Sequence, residues 1–196
     1  MKEYNRSRDK IRKFIQTELG ALLEEDQKKL KIVSEGDLQS CAYFHLRDFF
    51  DDQKFSRWYI LNKLPMGKKE APKKIPDLVI ARMRESGMVK PTFLIELKET
   101  ERYKESAVVH DIKKLLELLQ KYKKCEGCFF IYSVYDDERD SKEILEMMDA
   151  IRDKYMKRLR HRDKIVSMPI NAVHSMTHGR YEIWKKKRLK LRKYRK

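Results

Sequence analysis

Three residues suited to hydrolytic chemistry fall within one short stretch, "IPDLVIARMRESGMVKPTFLIELKE", from Ile75 to Glu99. Asp77 stands beside one apolar run, and Glu96 and Lys98 interrupt the next. Side chains alternate across a strand, so Glu96 and Lys98 share one face while Ile95 and Leu97 take the other. Asp77 precedes Glu96 by 19 residues, so a hairpin between the two runs would bring the two carboxylates together. Carboxylates within a few ångströms repel unless a cation lies between them. A hard divalent ion such as Mg²⁺ or Mn²⁺ takes such oxygen ligands. A neighbouring lysine can then orient a water or steady the charge on a phosphate. The chemistry that fits is metal-assisted phosphodiester hydrolysis.

The flanking sequence must supply the elements that hold these groups. "DKIRKFIQTELGALLEEDQKKLK" carries Ile11, Phe14, Ile15, Leu19, Leu22, Leu23 and Leu30 at helical spacing, which predicts one long amphipathic helix. A second helix begins at Ser34, with Ser34 and Asp37 as a capping box and Leu38, Cys41, Ala42, His45, Leu46 and Phe49 along one face. Arg57 to Leu64 predicts a strand, and "PMGKKEAPKK" a lysine-rich loop. "IPDLVIARM" and "TFLIELKE" predict two strands joined through a Ser-Gly turn. A helix follows from about Tyr103 to Lys124, with Val108, Ile112, Leu115, Leu116 and Leu119 on one face. "GCFFIYSVY" has the continuous apolarity of a strand buried on both faces. A helix at about Ser141 to Leu159 and two short strands, "KIVSMPI" and "RYEIW", come last. The expectation is one α/β domain over residues 1–184, followed by a basic tail over 185–196.

The 196 residues carry a net charge of +16, with 41% hydrophobic and 10% aromatic residues, so a sizeable core and a polyanionic partner are both expected. The last twelve residues, "KKKRLKLRKYRK", hold nine Lys and Arg and no acid. Without them the chain carries 38 basic against 31 acidic residues, so the tail supplies more than half of the excess. Such a tail attracts phosphates in a salt-dependent, sequence-independent way. Its Lys185, Lys186, Lys187, Arg188, Lys190 and Arg192 are candidate nucleic-acid contacts, as are Lys73 and Lys74 in the loop before Asp77. Three cysteines are too few for a disulfide framework. No apolar run is long enough to span a bilayer, and the basic N-terminus lacks the apolar stretch of a signal peptide. A cytoplasmic protein with no membrane partner is expected.

Pro76-Asp77 followed by "ELK" at Glu96 to Lys98 resembles the signature of the PD-(D/E)XK nuclease superfamily. That superfamily includes restriction endonucleases, Holliday-junction resolvases and repair exonucleases. Its core is a helix, a three-strand meander, a helix and a strand. The predicted order from Ser34 to Tyr135 is similar, with an added N-terminal helix and a C-terminal helix and strands. The resemblance covers about half the chain. It implies a restriction-endonuclease-like fold and a Mg²⁺- or Mn²⁺-dependent deoxyribonuclease. By the same analogy Asp77 and Glu96 bind the metal, with the backbone carbonyl of Leu97, and Lys98 positions the attacking water. Glu35 stands where the family's first core helix often carries a further acid. Lys113 and Lys114 stand where members often set a helix residue against the substrate backbone. Many members act as dimers, which makes a homodimer an expectation, although no dimerisation stripe stands out. The Gln-x-x-x-Tyr pattern of some exonucleases is absent, because Gln120 is followed four residues on by Lys124.

Plainer readings stand beside these. Asp77 also suits a turn after Pro76, and Glu35 suits a helix's first turn through the dipole alone. Glu96 and Lys98 would form a same-face ion pair on an exposed edge, but "TFLIEL" is too apolar for such an edge. Cys125 and Cys128 form a lone C-x-x-C, read as two small residues opening a buried strand. His174 and His178 fall in a loop-like segment. A non-catalytic nucleic-acid-binding module, or a basic subunit docking on an acidic protein, would use the same fold without cleavage. RNA as the nucleic acid stays open.

Overall fold

The computed structural model describes residues 2–62, 76–100, 104–122, 125–134, 141–156 and 165–171. The lysine-rich loop with Lys73 and Lys74, the "RYEIW" run, His174, His178 and the basic tail lie outside them. The chain is α/β, with a five-stranded mixed sheet in the order β1 (Trp58–Leu61), β2 (Leu78–Met83), β3 (Val89–Thr100), β4 (Gly127–Val134) and β5 (Ile165–Asn171). β1, β2 and β3 run antiparallel as a meander, while β3, β4 and β5 are parallel. The parallel steps need crossovers, and α4 (Glu105–Lys121) and α5 (Ser141–Met156) supply them. Among the described residues no helix is long and apolar enough to cross a membrane.

The N-terminal helix differs from its expectation in an instructive way. It runs as α1 (Lys2–Phe14), a π turn (Ile15–Leu19) and α2 (Gly20–Lys28). Ile11, Ile15, Leu19 and Leu23 recur strictly every four residues and are all fully buried. In a 3.6-residue helix that spacing drifts by about 40° per step, and the wider π turn takes up the drift so the stripe stays on the sheet. The helix also stops earlier than Leu30. Leu30 takes a left-handed φ of 59°. Its N–H donates to Gln27 O (2.9 Å) and that of Lys31 to Asp26 O (2.9 Å), a Schellman stop without glycine.

α3 (Glu35–Asp52) begins as the sequence predicts. Ser34 is extended and its Oγ accepts from the Asp37 N–H (3.2 Å), while Asp37 Oδ2 accepts from the Ser34 hydroxyl (2.8 Å) and the Val33 N–H (3.2 Å). Leu38, Ala42, Leu46 and Phe50 are its buried stripe.

Each face of the sheet holds its own core. Leu78, Ile80, Phe93, Ile95, Leu97, Phe129 and Ile131 meet the N-terminal helices and α3. Val79, Ala81, Leu94, Phe130, Tyr132 and Val134 meet α4 and α5. β4 lies inside the sheet with both faces covered, so every one of its residues is buried, as its unbroken apolarity predicts. Cys125 and Cys128 are buried free thiols at its start, and Cys125 Sγ donates to Thr92 O (3.2 Å). Each fully buried Leu, Ile or Phe contributes about 1.5–3 kcal/mol relative to exposure.

Candidate active site

Pairing stops early along β3, and the site lies where it stops. β2 pairs with β3 from Met83↔Val89 to Leu78↔Ile95. β3 continues to Thr100 against β4 alone, ending at Thr100↔Val134. Among the described residues, the β2-side edge of Glu96 to Thr100 therefore has no strand on it. Asp77, one residue before β2, fills the first opening. Its Oδ2 accepts the Leu97 N–H at 2.8 Å, replacing the carbonyl a longer β2 would have offered. A strand residue's N–H and C=O emerge on the same edge, so the Leu97 carbonyl opens toward Asp77 as well. Gln39, one turn into α3, donates to Asp77 O (3.0 Å) and fixes the turn.

Leu94 faces α4, and the alternation carries Glu96 and Lys98 to that same face. Glu96 is 5% exposed. Its Oε1 lies 2.5 Å from Lys114 Nζ, while its buried Oε2 has no hydrogen-bond partner among the described residues. Lys98 reaches the other way, to Glu35 Oε2 at 2.8 Å, so the N-terminus of α3 closes the notch from its open side. This outer pair is largely solvated and contributes little to stability. Asp111, one turn before Lys114 on α4, is also buried against the notch, at 6% exposure.

The electrostatics follow from this crowding. Burial first, and Asp77 second, push Glu96 up to about 8, and Lys114 only partly pulls it back. Burial also raises Asp77, against the Leu97 N–H and Lys114, and it raises Asp111 against Lys98 and Lys114. For Lys98, burial is the largest single influence and favours the neutral form, but the hydrogen bond and charge of Glu35, with the charges of Asp111 and Asp77, together outweigh it and raise the ammonium's pKa. Among the described residues, four carboxyl groups (Glu35, Asp77, Glu96, Asp111) thus face two ammonium groups (Lys98, Lys114), an excess of two negative charges when all are ionised.

That excess, the oxygen-only donors and the orphaned Glu96 Oε2 fit one divalent hard cation. Among the described residues no group of three or more His, Cys, Asp or Glu is arranged to hold a metal ion. The protein ligands on offer are the Asp77 and Glu96 carboxylates and the Leu97 carbonyl. Such a short set leaves positions for water, as Mg²⁺ favours.

The structure brings together Asp77, Glu96, Leu97, Lys98 and Glu35 from the sequence-predicted set. Lys114 joins them through its bond to Glu96. Lys113 points elsewhere, its Nζ 4.7 Å from the centre of the Tyr155 ring on α5. Asp111 and Gln39 escaped the sequence reading. Asp111 had a legible signal: it lies within the stripe of Val108, Ile112 and Leu115, an acid on the buried face of an amphipathic helix. Gln39, one turn after Glu35, had no distinguishing pattern. No family model, curated protein or solved structure matches this chain.

Proposed function

We propose that this protein is a metal-dependent nuclease that hydrolyses DNA phosphodiester bonds at the Asp77–Glu96–Lys98 notch. The observation that carries the proposal is the convergence of the buried Glu96 and the half-buried Asp77 carboxyl groups where β2 pairing ends, with one Glu96 oxygen left without a partner among the described residues. The order helix, three-strand antiparallel meander, helix, parallel strand, from α3 to β4, agrees with the restriction-endonuclease-like core that the Pro-Asp…Glu-Leu-Lys motif implies.

In this reading Asp77, Glu96 and the Leu97 carbonyl hold Mg²⁺ or Mn²⁺. The bound ion supplies Lewis-acid polarisation of the phosphate and acidifies water. Lys98, on the same strand face as Glu96, orients the attacking water and steadies charge on the phosphate in flight. Glu35 holds Lys98 in place through its 2.8 Å bond. The chain's net charge of +16 favours a polyanionic substrate at long range.

A second reading is a binding module of the same fold that does not cut. It is favoured by the two lysines each being engaged with an acid, Lys114 with Glu96 and Lys98 with Glu35. One experiment separates the two. Wild type and Lys98→Ala are incubated with supercoiled plasmid, linear duplex, single strands, a four-way junction and single-stranded RNA, in Mg²⁺, Mn²⁺ or EDTA. Cutting by wild type that needs metal and is lost in the variant is the expected result. Salt-sensitive DNA binding with no cutting on any substrate overturns the nuclease and selects the binding module.

A further inference from the structure

Lys114 stands out among the cations of the chain. Among the described residues it is one of two lysines drawn into the notch, and its side chain is only 13% exposed. Its partner Glu96 is the most enclosed acid of the site. A structural ion pair of this depth normally satisfies both carboxylate oxygens, because a half-solvated, half-bonded buried charge is costly. Here one ammonium covers Oε1, and among the described residues nothing bonds Oε2. The same ammonium also acts on Asp77 and Asp111, which lie on the other sides of the notch. One positive charge is doing the work of two.

Resting on the nuclease reading, we propose that the Lys114 ammonium is the resident counter-cation of the Asp77–Glu96 notch, holding the place that a divalent ion takes and yielding it on loading. Lys114 is then a positioning residue that sets how tightly the notch binds its ion. The yielding side chain has a second carboxylate within reach. Asp111 lies three residues back on α4, on the same helix face, at the spacing where helical side chains meet. A rotation about the lysine's flexible stem transfers the ammonium from Glu96 to Asp111 without moving the helix. The arrangement keeps the metal-free site from collapsing by repulsion and lowers its affinity for stray cations.

The test is direct Mn²⁺ binding, read from the loss of the free-ion electron paramagnetic resonance signal, with no substrate present. Wild type is compared with Lys114→Met, Lys114→Gln, Glu96→Gln and Lys113→Met. Lys114→Gln keeps a hydrogen-bond donor for Glu96 in case the methionine variant folds poorly. Lys113→Met removes the same charge from the same helix at the position stacked on Tyr155. Removing a competing unit charge from within a few ångströms is expected to tighten Mn²⁺ binding about tenfold in both Lys114 variants. Lys113→Met should stay within about twofold of wild type, since an exposed charge is screened. Binding that appears only once Lys114 is replaced supports the proposal equally.

Unchanged or weaker binding in both Lys114 variants, with Glu96→Gln still losing affinity, overturns the counter-cation role and leaves the carboxylate site standing. No binding by wild type or by either Lys114 variant at millimolar Mn²⁺ overturns both the proposal and the metal site it rests on.

Discussion

Asp26 and Glu96 are equally buried, each 5% exposed, and yet they are opposites. Asp26, near the end of α2, has both oxygens engaged. Lys31 Nζ lies 2.7 Å from Oδ1 and His45 Nε2 2.7 Å from Oδ2. The Schellman turn after α2 swings Lys31 back, and the middle of α3 delivers His45. Burial is the largest single influence and pushes the Asp26 carboxyl up, but the hydrogen bonds and electrostatic attraction of Lys31 and His45 together more than offset it and hold the group below its ordinary range. Glu96 has one oxygen engaged, a second carboxyl beside it, and sits at about 8. Depth alone therefore does not tell a candidate site acid from a structural one. What separates the two is completeness: among the described residues the Asp26 cluster is closed, whereas the Glu96 notch is left short by charge and by one hydrogen bond.

The sharpest way to break this contrast is to remove each acid and ask what is lost. Glu96→Ala is predicted to lower single-turnover cleavage about a thousandfold or more, a loss of the size seen when a transition-state stabilising group is removed. Asp26→Ala should leave the rate per folded molecule within about twofold, since its partners are all internal. Rapid-quench cleavage of the preferred substrate in Mg²⁺ measures both. Cutting by Glu96→Ala at near the wild-type rate would sink the site.

Stability should show the reverse order. Asp26→Asn strands Lys31 and His45, but Lys31 is 57% exposed and can return to water. The expected cost is therefore about 1–3 kcal/mol, at the level of an unmade buried hydrogen bond to a charged group. Glu96→Gln, in the metal-free protein, removes a charge the fold holds reluctantly and should cost less than Asp26→Asn. Urea midpoints in EDTA decide it, and equal losses in the two variants would erase the distinction between closed and open clusters.

The contrast also explains what the sequence could and could not reveal. The order of strands and helices was legible because each carries an unambiguous period: Leu38, Ala42 and Leu46 at helical spacing, and the unbroken "GCFFIYSV" of β4. Asp77, Glu96 and Lys98 were legible because charges that interrupt strand-like apolar runs stand out. The notch itself was not. Nothing in the local sequence says that β2 begins at Leu78 rather than earlier, yet that boundary turns Asp77 from a ladder residue into a side-chain acceptor for Leu97. Nor does spacing reveal that Lys114 and not Lys113 enters the site, because adjacent helix positions differ by about 100° and only the packing of α4 fixes which one faces the sheet. The π turn and the Leu30 stop were missed for a similar reason. Both are answers to tertiary constraint, given by residues with no special local preference.

pH supplies a finer test, because the two acids shift in opposite directions. The carboxyl of Glu96 is raised from 4.5 to about 8, so its stability contribution is fully present below pH 4.5 and lost as pH rises through about 8. Asp26 is lowered from 3.8, so its contribution is present above pH 3.8 and lost as pH falls through its folded value. Glu96→Gln should flatten the stability profile of the metal-free protein between about pH 5 and 8, and Asp26→Asn should flatten it only on the acid side. Chemical denaturation across pH 3 to 9 in EDTA measures both slopes. A Glu96→Gln profile parallel to wild type between pH 5 and 8 would show that Glu96 is ionised as easily as a surface acid.

The smallest expected effect probes the one element the two regions share. α3 holds Glu35 and Gln39 at the notch and, two turns further on, His45 against Asp26. Its start is fixed by Ser34, whose Oγ takes the Asp37 N–H. Ser34→Ala should cost about 1 kcal/mol, the ordinary value of an N-cap. The loss falls on the first turn of α3, because the cap bonds reach no further than Asp37. Fraying there loosens Glu35 from Lys98 while leaving His45, deep in the helix, in place. A several-fold slower cleavage by Ser34→Ala, with the acid limb of the stability profile unchanged, is the expected pair of results. Loss of that acid limb instead would mean that the cap governs the whole helix, and that the open notch and the closed cluster form one cooperative unit.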